Sequence, residues 1–483
     1  MMSRCDLLLR FGDLEIRDAA LFSLTYPFVM PILPSADNDF LQSMYPPGLE
    51  LRLVQILHRH GAMQFPVVHQ ISVPSSLPGE RTPVRRRLTE WILPVWNLCA
   101  ANDAMFASIL QFDAAASQKT PQIGITPVRR VVEAEEGGNA KRMGDGACFY
   151  GQLTNIGRQS MSEVGARLRE IYVNKLNFLP STLDPRHLYL RSSDFTRTQE
   201  SLQQLVAEGL YPKQNRPDHD FVFKIHTRDF GDENIFPQPN CRRLDILAKQ
   251  FTAAVANEEK ARLQSISERL KGIVKEVTLD SHPSANGILD TIIAAQAHSI
   301  PIPPAFDPPL IADLEHVVVR EWFAGYMQSE EMRRLGLGRL AGEIKDRAVR
   351  RAEGRRDEEK KREEEDLKLA IYAGHDTSIG SLLILLDAYD NKWPPFSSIV
   401  IFELLQDTTS SSSKTSWFRK ADPSASHYIR VHYNDRVLQL PGCADPGKHH
   451  PSGDASLCTL EAFKELVQKF VPKDYYQECK KTE

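Results

Sequence analysis

Residues 51–66, LRLVQILHRHGAMQFP, decide how the rest of the chain is read. Leu53, Val54, Ile56 and Leu57 form a short run of branched apolar side chains, the pattern of a strand buried on both faces. The run stops at Arg59-His60-Gly61. An imidazole can attack phosphorus, and a guanidinium can grip two phosphate oxygens at once. A glycine beside them lets the backbone approach a bound group closely. A polar strand-to-loop turn would use the same three residues, and a motif this short also arises by chance. The segments further along the chain decide between the two readings.

The chain has 483 residues, 42% of them hydrophobic and 25% charged. Those are ordinary globular proportions, enough for one large domain or two to three small ones. A net charge of −4 argues against a general nucleic-acid binder. The seven cysteines are scattered, without CxxC, HExxH or a tight Cys/His cluster, so no metal site is expected. Cys443 and Cys458 flank a Pro/Gly/His-rich loop and could pair, but scattered reduced thiols fit equally well. No apolar run reaches the length of a transmembrane segment. Residues 1–10 do not form a clean signal peptide, because Asp6 interrupts them and no small-residue cleavage site follows closely.

A second short strand, Leu188-Tyr189-Leu190, delivers Arg191-Ser192-Ser193-Asp194. Arg191 is the expected second phosphate clamp at the carboxyl edge of a sheet, while Arg197 is read as structural, paired with Asp194 or Glu200. A third strand, residues 369–374, ends in His375-Asp376 before an apolar helix start. Residues 399–406 and 428–433 alternate as a hairpin around a Ser/Thr-rich tip, and a closing helix spans 460–470. Residues 241–277, 287–296 and 310–336 carry helical patterns. Residues 343–368 are densely charged with both signs and read as a solvated helix.

Removing residues 62–79 joins Arg59-His60-Gly61 to Glu80-Arg81-Thr82-Pro83, giving RHGERTP. This resembles the RHGxRxP signature of the histidine acid phosphatases, here split by 18 residues with a Gly at each junction. Gly151-Gln152-Leu153-Thr154 with Gly157, the segment from Arg191 to Ser201, and His375-Asp376 resemble further family segments. An unremoved in-frame intron is the simplest account of 62–79, and a genuine surface insertion is the alternative. The resemblance spans about residues 45–470.

It implies an α/β fold, the phosphoglycerate-mutase-like three-layer α/β/α sandwich with a helical cap domain. Residues 1–44 would be an extension, 45–200 the first part of the core, 201–366 the cap and charged helix, 367–472 the second part of the core, and 473–483 a disordered tail. It also implies an acid phosphatase that hydrolyses phosphomonoesters through a phosphohistidine, without metal or cofactor. His60 would be the nucleophile and Asp376 the proton donor, with Arg59, Arg81, Arg191 and His375 on the phosphate. A charged His375 and a protonated Asp376 would give an acidic optimum. The expected partner is a small phosphomonoester, lysophosphatidate among the candidates, since lysophosphatidate-type members resemble the chain most. Sparse cysteines and the lack of a clean signal peptide favour a cytoplasmic or mitochondrial setting over secretion. The alternative function is a non-catalytic or crippled phosphate or lipid-headgroup binder, because residues 62–79 hold Arg81 away from His60.

Overall fold

The first helix among the described residues begins after Asp37. The Asp37 carboxylate accepts from the backbone N–H groups of Asp39 and Phe40 and caps this short helix, α1 (Asn38–Met44). The computed structural model describes residues 34–64, 96, 98–99, 101, 104–111, 122–129, 148, 150–218, 221–354, 365–409 and 426–482. Most of the 62–79 segment, and Arg81 with it, lies outside the described residues.

Strand β1 (Leu49–Arg59) is buried from Leu53 onward, as its apolar run predicts. Strands β2 (Ala104–Gln111) and β3 (Gln122–Arg129) pair antiparallel as a separate two-stranded sheet that the sequence pattern did not announce. Helix α2 (Asn155–Arg169) starts at Thr154, whose side chain accepts from the Gly157 N–H. Then come β4 (Leu188–Ser192) and α3 (Thr196–Gln203), followed by the helices α4 (Arg242–Glu258), α5 (Lys260–Arg269), α6 (Ala285–Ala297) and α7 (Pro308–Gln328). Helix α8 (Glu330–Glu353) leads back to β5 (Leu369–Gly374) and α9 (Asp376–Leu385). The chain closes with β6 (Ile399–Asp407), β7 (His427–Tyr433), β8 (Arg436–Leu438), β9 (Cys458–Thr459), α10 (Leu460–Gln468) and α11 (Tyr475–Cys479).

The main sheet runs β4-β5-β1-β6-β7-β8, with β9 beside β7. β1, β5 and β4 are mutually parallel, and β6 returns antiparallel to β1. The parallel register aligns Arg59 with Gly374, and Arg191 with Tyr372. Three carboxyl ends therefore finish at one edge, which brings Arg59-His60, His375-Asp376 and Ser192-Ser193 together.

Alternation along β1 separates two cores. Val54 and Ile56 pack with Met161, Val164 and Leu168 of α2 and Leu202 of α3. Leu53 and Leu57 pack with Leu340 and Ile344 of α8, Ile379 and Leu382 of α9, and Phe463 of α10. The result is a three-layer α/β/α sandwich. Full burial of a side chain such as Leu57 contributes roughly 1.5–3 kcal/mol. Helices α4 to α7 share a third core, which includes Leu244, Ile266, Ile288 and Phe323.

Two expectations change. The charged run beginning at residue 343 is not simply solvated, because α8 buries Lys345 and Arg347 beside the sheet. The end of the chain is not a loose tail. Tyr475 and Cys479 of α11 are buried, and Cys479 is disulfide-bonded to Cys241. Cys99–Cys148 and Cys443–Cys458 are also bonded, so of the two readings of Cys443 and Cys458 the pairing is the one found.

Candidate active site

His60 follows the last residue of β1 and is buried. Its Nδ1 lies 2.9 Å from the Gly61 carbonyl, so this nitrogen donates and Nε2 is left with the free lone pair. Its pKa is held well below the ordinary value by burial first, then by the positive charges of Arg59 and Arg197. These surroundings favour the neutral imidazole, the state a nucleophile needs.

The His375 ring lies 5.7 Å from that of His60, centre to centre, nearly edge-on. Its Nε2 is 3.0 Å from Ser193 Oγ, and its backbone N–H donates to Ser378 Oγ at 3.0 Å in the first turn of α9. Phe195 and Phe236 flank it edge-on at 5.0 and 5.3 Å. Burial and the Arg197 charge push its pKa down to about 3, with Asp376 opposing. His375 is therefore neutral in the free protein, contrary to the charged state expected from sequence.

Arg59 packs its guanidinium 4.3 Å from the centre of the Phe396 ring. Nη1 donates to the Pro394 carbonyl, and Nη2 pairs with Asp376 Oδ2 at 2.8 Å. Its buried Nε has no partner among the described residues. Asp376, at the first position of α9, keeps its side chain 18% exposed, while the Arg59 side chain beneath it is buried.

The two later arginines are paired in the reverse of the expected way. Arg191 is fully buried and donates to Glu233 and Asn234 at 2.5 and 2.6 Å and to Glu343 at 3.0 Å. Its cation is committed to acids from the 233–234 loop and α8. Arg197 makes no ion pair among the described residues, and its Nε is buried without a partner. Burial lowers its pKa, while the Asp376 charge opposes this. The Arg197 charge acts on both His60 and His375. Its guanidinium rests 4.7 Å from the Phe195 ring centre.

Residues 61–64 form the floor. Gly61 and Gly157 meet backbone to backbone, and a Cβ on either would run into the other segment's carbonyl oxygen. The Thr154 N–H donates to the Ala62 carbonyl at 3.1 Å, and Met63 bridges Leu153. Ala62, Met63 and Gln64 are buried. The first three residues of the 62–79 segment are therefore built into the site. Sequence reasoning missed Arg197 and the rings of Phe195, Phe236 and Phe396. The signals available for Arg197 were its place in the Arg191–Ser201 segment that resembles a family segment and in the first turn of a helix beginning just past a strand end.

A parallel-strand edge that gathers two buried imidazoles, guanidiniums and a partly exposed aspartate has the chemistry to hold and transfer a phosphoryl group. The family model for the histidine phosphatase superfamily (branch 2) matches residues 79–434, and the chain belongs to that family. A Schizosaccharomyces pombe protein named "Probable acid phosphatase" is 31% identical over 93% of this chain and 99% of its own. Human lysophosphatidic acid phosphatase type 6 is 27% identical over 70% of this chain and 71% of its own. Among solved structures, the Citrobacter braakii phytase covers 89% of this chain and 99% of its own at a TM-score of 0.52 and 14% identity, a likeness of fold.

Proposed function

We propose that this chain is an acid phosphatase that hydrolyses phosphomonoesters through a phosphohistidine on His60. The observation that carries this reading is the buried His60, whose surroundings favour the neutral ring. Its Nδ1 is fixed on Gly61, and its ring stands beside His375 and within the influence of two guanidiniums.

The substrate dianion competes with Asp376 for Arg59 and draws on Arg197 as a second cation. His375 and Ser193 Oγ offer hydrogen bonds to the remaining oxygens. Nε2 of His60 then bonds to phosphorus as the ester P–O bond breaks. Asp376 gives its proton to the leaving oxygen. Water attacks the phosphohistidine, and Asp376 takes the proton back. The transition state is loose, so positioning and charge supply most of the acceleration. Arg197 takes the clamp role expected of Arg191, and Arg191 holds the strand end in place. Arg81 remains a phosphate ligand by resemblance and lies outside the described residues.

The relatives carry phosphatase names, which disfavours the non-catalytic alternative. Lysophosphatidate is a candidate substrate because one relative's name specifies it. Phe195, Phe236 and Phe230 form a chain of ring contacts outward from His375, and Phe230 is exposed. Such a wall suits an apolar leaving group. Among the described residues no helix is long and apolar enough to cross a membrane.

Turnover of p-nitrophenyl phosphate at acid pH tests the reading. The full chain should turn over and His60→Ala should not. Equal rates would refute it.

A further inference from the structure

Helix α6 is hydrogen-bonded to the floor of the site through a histidine that the mechanism above does not use. His298 follows the last residue of α6 and is buried. Its Nδ1 lies 2.7 Å from the Ala294 carbonyl one turn back, so this nitrogen carries the hydrogen. Its Nε2 lies 2.7 Å from Thr154 Oγ1, on a residue 144 positions away. Burial lowers the His298 pKa, which favours the neutral ring and leaves Nε2 as an acceptor. The buried Trp96 packs against the ring at 5.0 Å, centre to centre.

The Thr154 hydroxyl has one hydrogen to give and lone pairs to accept with. It accepts from the Gly157 N–H at 3.1 Å. Two acceptors lie within reach of its hydrogen, His298 Nε2 at 2.7 Å and the Ala62 carbonyl at 3.2 Å. The nearer imidazole takes it, and the Ala62 carbonyl keeps the Thr154 N–H at 3.1 Å. Ile293 and Ala297, from the same end of α6, pack against Ala62, Met63 and Phe396. Ala62 follows Gly61, whose carbonyl receives the His60 Nδ1 hydrogen. A continuous line of contacts thus runs from His298 through Thr154 and the Ala62–Gly61 backbone to the ring of His60.

We propose that His298 is a positioning residue: it anchors Thr154, and with it the Gly61–Ala62 backbone that sets the angle at which the His60 ring meets phosphorus. The proposal rests on the phosphatase reading above. Without His298 the Thr154 hydroxyl turns to the Ala62 carbonyl, which then takes both donors of one residue, and the floor shifts. The charges around the phosphate stay in place. Substrate binding should therefore hold, while the transition state, where the ring angle counts most, should suffer.

The test measures kcat and KM separately on p-nitrophenyl phosphate in the full chain. In His298→Leu, which cannot accept the hydrogen, kcat should fall by about tenfold or more with KM changed less than about threefold. His298→Gln, whose amide oxygen can take the place of Nε2, should bring kcat back to within about threefold of wild type. Thr154→Val removes the hydroxyl from the other side, and adding His298→Leu to it should cost less than about twofold more. Should His298→Leu not fold, Thr154→Val against Thr154→Ser repeats the comparison, with the rate kept only where the hydroxyl is. An unchanged kcat in the Leu variant, a loss confined to KM, equal losses in Leu and Gln, or fully multiplied losses in the double variant would overturn the proposal while wild type stays active. Wild-type protein that turns over no substrate would overturn the phosphatase reading and this proposal with it.

Discussion

Arg191 and Arg197 stand six positions apart and have opposite surroundings. One is enclosed by two carboxylates, and the other acts on two imidazoles and makes no ion pair among the described residues. Arg197→Gln should therefore lower kcat/KM by about 10²–10³-fold, the usual loss on removing one charge-stabilising donor. It also removes a charge that holds the His60 pKa down. His60 would then protonate at higher pH, so the acid limb of kcat/KM should move up. Arg191→Gln leaves the buried Glu233 without its cation, while Glu343 keeps Arg228, and should destabilise the fold by about 3–5 kcal/mol, read as a lower melting temperature. If Arg191→Gln instead melts normally and loses catalysis, the two roles must be exchanged. His60, His375 and Asp376 were legible in the sequence because each follows a buried strand directly. The fate of Arg191 was not, because Glu233 and Glu343 reach it from 42 and 152 positions away.

At the level of elements, strand ends were easy to read and the loop after β1 was not. Periodicity marks β1, β4 and β5, and their parallel register then fixes which side chains meet. The path of residues 61–64 depends on a close backbone approach to Gly157 and a bridge to Leu153, neither of which has a local pattern. Met63 occupies the second place after Gly61, where the contiguous RHGERTP arrangement would put Arg81. Deleting residues 62–79 should place a guanidinium there and raise kcat/KM by about 10²–10³-fold. Equal rates with and without the segment would show that Met63 is no handicap.

Across the whole molecule, the three layers follow from alternation along β1, which sends Val54 and Ile56 to one core and Leu53 and Leu57 to the other. The disulfides could not be deduced that way, since Cys241 and Cys479 are 238 positions apart. Paired thiols persist where the surroundings are oxidising, which weighs against the cytoplasmic expectation. Reduction should lower the melting temperature. Opening Cys443–Cys458, at a separation of 15, should alone cost about 3 kcal/mol. An unchanged melt would mean that these bonds contribute nothing to stability. The central claim is that segments far apart in the chain enclose one phosphoryl group and hand it to His60. The most direct measurement is rapid mixing with a radiolabelled phosphomonoester, quenching in alkali and mapping of the labelled peptide. The label should fall on His60 in a burst that precedes steady turnover. Label on any other residue, or turnover with no phosphoenzyme, would contradict it.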